Sequence, residues 1–232
     1  MSLALMGTAL FAQTPSQKQV QRIPPVTMVL PVAGFPLSVD IVEERTTKLP
    51  DGTSKAEVLT SKVYRDGAGR MRTETRVIGD SGEPMTIIQL FNKPDGFVAI
   101  LVPAEKAGGR FLLSKKQQSE AGYGFTTIDP LSTAHGKKTS KTQGLGKQTI
   151  EGVEFDGSRT TTTVDGQPSI IGFQDHWAAH DLGLFGLEKS SGPDLESSAK
   201  IRNLDRHEPD PALFTPPADY EIRDLNPDDP AQ

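Results

Sequence analysis

Two histidines four residues apart, His176 and His180, bracket Trp177 and stand between Asp175 and Asp181. On a helix that spacing would set two imidazoles on one face, as a zinc site requires. The segment reads instead as strand, turn and strand, where residues four apart across a turn need not converge. The glutamate of the metalloprotease motif is also absent, because Trp177 follows the first histidine. The pair is expected as hairpin histidines, with no metal and no cofactor. Serine-hydrolase chemistry would need the GxSxG elbow, which is missing. Ser132, Thr133 and His135 lie close together but have no nameable orienting partner. Gly144-Leu145-Gly146-Lys147 lacks the first glycine and the hydroxyl residue of a phosphate-binding loop. Glu43 and Glu44 are neighbours on a predicted strand, so their carboxylates diverge to opposite faces. Arg70, Arg72 and Arg76 remain as interaction-face candidates. They could clamp an anionic group or a partner, or form the wet side of a sheet with weak cross-strand ion pairs. No catalytic residue emerges, and the chain is read as non-enzymatic.

The elements that must position these groups begin with a three-strand meander over 36–77. Leu37, Val39 and Ile41 alternate with polar residues at the period of a half-buried strand. Leu49-Pro50-Asp51-Gly52 is a turn, because proline fixes φ and glycine accepts a positive one. Val58, Thr60, Val63 and Tyr64 favour a second strand, and Asp66-Gly67-Ala68-Gly69 a hairpin into a third. There Met71, Thr73, Thr75 and Val77 share one face, while the arginines and Glu74 make the other too charged to bury. Further on, 79–82 marks a turn, 85–91 a fourth strand, and Phe97 to Val102 the most apolar run and so a central strand. Periodicity fails across 115–147, which reads as a long polar loop, either a mobile flap or a segment with one short helix. Strands resume at Gln148, with a kink expected near Asp156-Gly157, a tight hairpin at Asp165-Gly166, and a last strand over 197–205. About ten short strands with few helical windows give a mainly β, or α+β, fold.

Composition narrows the function classes. The 232 residues suit one domain with tails. A net charge of -5, without a basic stripe carrying aromatics, argues against nucleic acid. The absence of cysteine removes disulfides, thiolate metal sites and cysteine nucleophiles together. No apolar run reaches the length of a transmembrane helix. Residues 1–12, MSLALMGTALFA, resemble the apolar region and cleavage site of a secretory signal, so a periplasmic or secreted protein is expected. Residues 13–34 read as a flexible linker, 35–224 as a single domain and 225–232 as a loose tail.

Three phrases carry a family resemblance: SKVYRDGAGRMRTE at 61–74, HWAAHDLGLFGLEKS at 176–190 with Trp177, Leu182, Gly183 and Leu184, and EPDPALFTPPADYEI at 208–222 with Phe214. Their order over 35–224 resembles the LolA-like, outer-membrane lipoprotein carrier and sorting superfamily, and most of all uncharacterised exported proteins of Acidobacteria. The Asp-Pro usual after the tryptophan is replaced by Ala178-Ala179. The resemblance implies a strongly curved antiparallel sheet forming an incomplete barrel, with a few short capping helices. It also implies a concave apolar face that holds an acyl lipid or lipoprotein without covalent chemistry. The candidate lining residues are Leu37, Val39, Ile41, Val63, Ile88, Leu90, Val98, Ile100 and Leu101. The alternative is an envelope-sensing or protein-interaction module with a filled core and a protein partner.

Overall fold

The computed structural model describes residues 28–78, 82–119, 131 and 136–225. Within them the chain forms twelve strands: β1 (Leu37–Lys48), β2 (Ser54–Arg65), β3 (Met71–Ile78), β4 (Pro84–Asn92), β5 (Phe97–Val102), β6 (Ala107–Leu112), β7 (Lys138–Ile150), β8 (Val153–Val164), β9 (Gln167–Ala179), β10 (Leu184–Ser191), β11 (Leu195–Asp205) and β12 (Glu221–Leu225). All lie in one curved, open sheet of order β12-β6-β5-β4-β3-β2-β1-β11-β10-β9-β8-β7. Every pairing is antiparallel except β12 against β6, which is parallel. Two meanders, β1–β6 and β7–β11, join through β1 and β11. The expected incomplete barrel is therefore present, with free edges at β7 and β12 among the described residues. Helix is confined there to a short segment, Lys115–Ser119, and three 3-10 turns.

The turns form where their residue types require. Gly52 takes φ +83° and closes the β1–β2 turn through Gly52 N–H to the Leu49 carbonyl, 2.9 Å. Asp66, buried at the head of the β2–β3 hairpin, accepts from the N–H groups of Ala68 and Arg70 at 3.0 and 2.8 Å.

Three expectations need correction. Residues 138–147 are not loop but most of β7, whose side chains are almost all exposed. An edge strand facing water on both sides has no apolar alternation to betray it. The kink also lies elsewhere. Glu151 and Gly152, at φ +50° and +75°, turn β7 into β8, and the irregularity is a bulge on β7 between Gly144 and Gly146. Third, the part of the linker at 28–34 is built in. Met28 and Val29 are buried, Val29 bridges Leu184, and Phe185 N–H donates to the Met28 carbonyl at 2.8 Å. The signal-like 1–12, the turn at 79–81, Ser132, Thr133 and His135 lie outside the described residues, as do 226–232 of the tail. Leu225 belongs to β12.

Candidate functional site

Cross-strand partners share a face of the sheet, so the registers sort the candidate lining residues. Leu37, Val39, Ile41 and Val63 point to one side, where they form a core with Met28, Val29, Phe155, Leu184 and Ile201. Ile88, Leu90 and Leu101 point to the other side. Ile88 opposes Glu74 and Leu90 opposes Arg72, on the face that carries the arginines. That second core, completed by Phe97 and Ala99, is closed over by Tyr220 and Ile222 from the C-terminal tail. The nine residues therefore do not line one concavity. Val98 and Ile100, which oppose Phe91 and Gln89, return to the first face, where both are half-buried.

This sorting leaves one apolar surface that neither core cluster includes among the described residues. On β4, β5 and β6 the side opposite Tyr220 and Ile222 carries Met85, Ile87, Phe91, Val98, Ile100 and Phe111, with Leu225 of β12 over Gly109 at its margin. Ile87 is buried and the others are half-buried. Next to them on β3 and β2, Thr73, Thr75 and Ser61 are buried hydroxyls on the same side, with Ser61 and Thr75 in contact at 2.9 Å. β6 lies next to one edge and β7 forms the other, ten strand steps apart, with 113–137 as the link in sequence. Its start is tied down by Leu113 N–H on the Gly96 carbonyl, 2.8 Å. Near its end, buried Leu131 accepts from Lys138 Nζ at 2.7 Å.

The three sequence phrases converge on the frame rather than on this surface. Arg65, fully buried, has four carbonyl contacts: Nε donates to Phe35 at 2.8 Å, Nη1 to Leu30 at 2.6 Å and to Gly183 at 3.4 Å, and Nη2 to Leu182 at 2.8 Å. Burial lowers its pKa to about 10, which still leaves it charged at neutral pH. Gly183, at φ +53°, is required there, because a Cβ would meet Val32 Cγ2 at 2.6 Å and Leu30 Cβ at 2.9 Å. Trp177 packs against the first core and lies over Gly157, where a Cβ would come within 2.7 Å of the indole Nε1. The closing phrase joins the same hairpin: Gly67 N–H donates to Glu208 at 2.9 Å, and Phe214 is fully buried.

The arginine row is also taken apart. Arg70 bonds Asp66 at 2.5 Å and lies over the Phe214 ring at 5.1 Å. Arg72 donates to Glu74 at 2.7 Å and to the Leu213 carbonyl at 3.1 Å. Only Arg76 of the three is exposed. His176 on β9 faces Glu188 across the β10 pairing, Nδ1 to Oε1 3.2 Å, while His180 opens an exposed 3-10 turn. The two imidazoles thus sit on different elements. Among the described residues no group of three or more His, Cys, Asp or Glu could hold a metal ion. There too, no helix is long and apolar enough to cross a membrane.

No protein-family model matches the chain, and no curated protein does. Solved structures similar to it include MucB in complex with MucA(peri), at 12% identity and TM-score 0.40 over 81% of this chain and 56% of that one. The chain thus spans little more than half the length of that MucB. The lipoprotein LppX of Mycobacterium tuberculosis aligns at 12% identity and TM-score 0.36, over 74% of this chain and 88% of that one. A LolA superfamily protein from Nitrosomonas europaea aligns at 10% identity and TM-score 0.33, over 88% and 98%. None of the three bears on the likeness to Acidobacterial proteins. Likenesses this distant fix neither a family nor a function, and what the site does has to come from its own residues.

Proposed function

We propose that this protein is a non-enzymatic, LolA-like binding protein of the periplasm or extracellular space. It holds the acyl chain of a lipid or lipoprotein against the β4–β6 surface opposite Tyr220 and Ile222. The carrying observation is the unequal treatment of the two faces of the same strands. One is closed over by Tyr220 and Ile222, whereas Val98 and Ile100 on the other stay half-buried. An apolar surface of this kind, bordered by Thr73, Thr75 and Ser61, suits a ligand that needs shape and dryness more than hydrogen bonds. The secretory-signal resemblance of residues 1–12 supports the compartment. Arg70 and Arg72 are internal fastenings, so a protein-interaction module would have to use another surface.

The test is native mass spectrometry of the gently purified full chain, followed by displacement of co-purified lipid with a fluorescent fatty acid. Ile100→Trp should cover the surface and weaken fatty-acid binding by about tenfold or more while the protein stays folded, because Ile100 is half-buried and belongs to neither core cluster. Leu101→Asp, on the sealed face, should unfold the protein instead, since it buries a carboxylate in a filled core. A protein free of lipid, bound by no acyl probe, would sink the carrier reading.

A further inference from the structure

The face that carries the β4–β6 surface changes character toward the other half of the sheet. Arg45 lies on it, two and four residues beyond Glu43 and Ile41 on β1. The registers continue from Arg45 through Ser197, Ser190, Gln174 and Thr160 to Thr142, one residue on each strand from β11 to β7. All but Thr142 are half-buried. The five beyond Arg45 are uncharged hydrogen-bonding side chains. The charges beside them are taken up locally: Arg45 donates to Glu43 at 2.6 Å, Lys55 pairs with Glu57 at 2.6 Å, and His176 meets Glu188 at 3.2 Å. The opposite face of the same strands is different. Its matching row runs Ser198, Lys189, Asp175, Arg159 and Gln143, with Lys200 and Arg202 beside it on β11. A surface kept polar only for solubility carries mixed charges, as that one does.

Arg45 adds an independent sign. Among the described residues its Nε is the one buried side-chain nitrogen or oxygen without a hydrogen-bond partner. Buried donors are normally satisfied, so this one calls for an acceptor. The guanidinium charge is already met by Glu43, so that acceptor needs no charge of its own. The side chain keeps 22% of its surface exposed, which lets a ligand oxygen approach. Ile100 on β5 and Arg45 on β1 are four strand steps apart, roughly 19 Å along the sheet and close to the reach of a long acyl chain.

We propose that the row from Arg45 to Thr142 receives the uncharged, hydroxyl-rich headgroup of the lipid whose chain lies on the β4–β6 surface, so that the ligand class is an acyl glycoside. This rests on the acyl-binding reading given above. A carboxylate or phosphate headgroup would meet Glu43 and Glu188 with no uncommitted cation facing it, and would be disfavoured.

The experiment is titration calorimetry of the full chain with three ligands of one chain length, each below its micelle concentration: tetradecyl maltoside, tetradecanoate and tetradecyltrimethylammonium. Free maltose is the fourth arm. The maltoside should bind about tenfold more tightly than either charged ligand, as a few neutral hydrogen bonds allow. Ser197→Ala combined with Thr160→Val should bring the three within about threefold of one another, with the urea midpoint nearly unchanged. Ile100→Trp should weaken all three alike. Binding of none of them would refute the acyl-binding reading and this inference with it. Binding without preference for the maltoside, or a preference that survives the double substitution, would overturn the headgroup assignment and leave the acyl-binding reading standing. Maltose binding as tightly as its tetradecyl glycoside would make the row a plain saccharide site and overturn the assignment too.

Discussion

Arg65 provides the sharpest test of how this fold is held. Arg65→Met removes the donors to Phe35, Leu30, Leu182 and Gly183. The Leu30 carbonyl keeps the Val32 N–H at 2.8 Å, and the Gly183 carbonyl keeps the Leu30 N–H at 2.8 Å. The carbonyls of Phe35 and Leu182 lose the donor the structure gives them. Leaving a part-buried carbonyl unpaired costs about 1–2 kcal/mol, so two cost about 2–4 kcal/mol. Removing a lone buried charge offsets part of that, and a net loss of about 2–3 kcal/mol is expected. In urea, with m of about 2–3 kcal/mol/M, the unfolding midpoint should fall by roughly 1 M at constant m. Arg65→Lys is the discriminating variant. An ammonium has no planar fork to span carbonyls on two separate segments, and it is more strongly hydrated than guanidinium, so lysine should be no better than methionine. Amide exchange at Leu30 should quicken in both, because the N-terminal segment is what comes loose. If Arg65→Lys stays within about 1 kcal/mol of the unsubstituted protein, charge alone matters at this position and the fork argument is wrong.

Gly183→Ala should cost about 2–4 kcal/mol in the same assay, combining left-handed strain with the clash against Val32 and Leu30. The tail has a pH signature. Hydrogen bonds from Lys106 to Asp219 and from Arg110 to Asp224 hold both carboxyls below their ordinary value of 3.8. A lowered folded pKa gives stability that is present above 3.8 and lost as the pH falls through the lower folded values. Amide exchange of β12 should therefore be steady above that pH and quicken below it, by a small factor that salt reduces further, since both pairs are exposed.

How much was legible follows from where each signal lives. The first meander could be read because Leu37, Val39 and Ile41 alternate beside turns that require proline and glycine. β7 could not, since eleven of its thirteen residues are exposed and their side chains show no apolar alternation. The lining residues failed for another reason. Alternation shows that Leu90 and Ile88 share a face, but not that they share it with Leu101 rather than with Ile100. That depends on register, and the register is set by the turn: Asn92 pairs with Phe97 across Lys93–Gly96, which forces Ile88 against Leu101 and Gln89 against Ile100. The four-residue turn at 93–96 therefore places Phe91, Val98 and Ile100 on one surface. Arg65 shows the opposite limit. Nothing in the phrase KVYRDG distinguishes a solvated arginine from one that closes the fold, because its acceptors, the carbonyls of Leu30 and Leu182, lie far along the chain in both directions.

The convergence of the three family-like phrases on the Asp66–Arg70 hairpin changes what they can mean. A phrase that recurs because it fastens a frame says which fold is built and nothing about what the fold holds. Arg65 on Leu182, Glu208 on Gly67, and Arg70 over Phe214 are all fastenings of that kind. The residues proposed to meet a ligand, Phe91, Val98 and Ile100 for its chain and the row from Arg45 to Thr142 for its headgroup, lie outside the three phrases except for Ser190, the last residue of one. Substitutions in the phrases should therefore move the unfolding midpoint, whereas substitutions at Ile100 or Ser197 should move binding at constant stability. Should Gly183→Ala abolish acyl-chain binding in protein that remains folded, the frame and the site would be one thing, and this separation would fail.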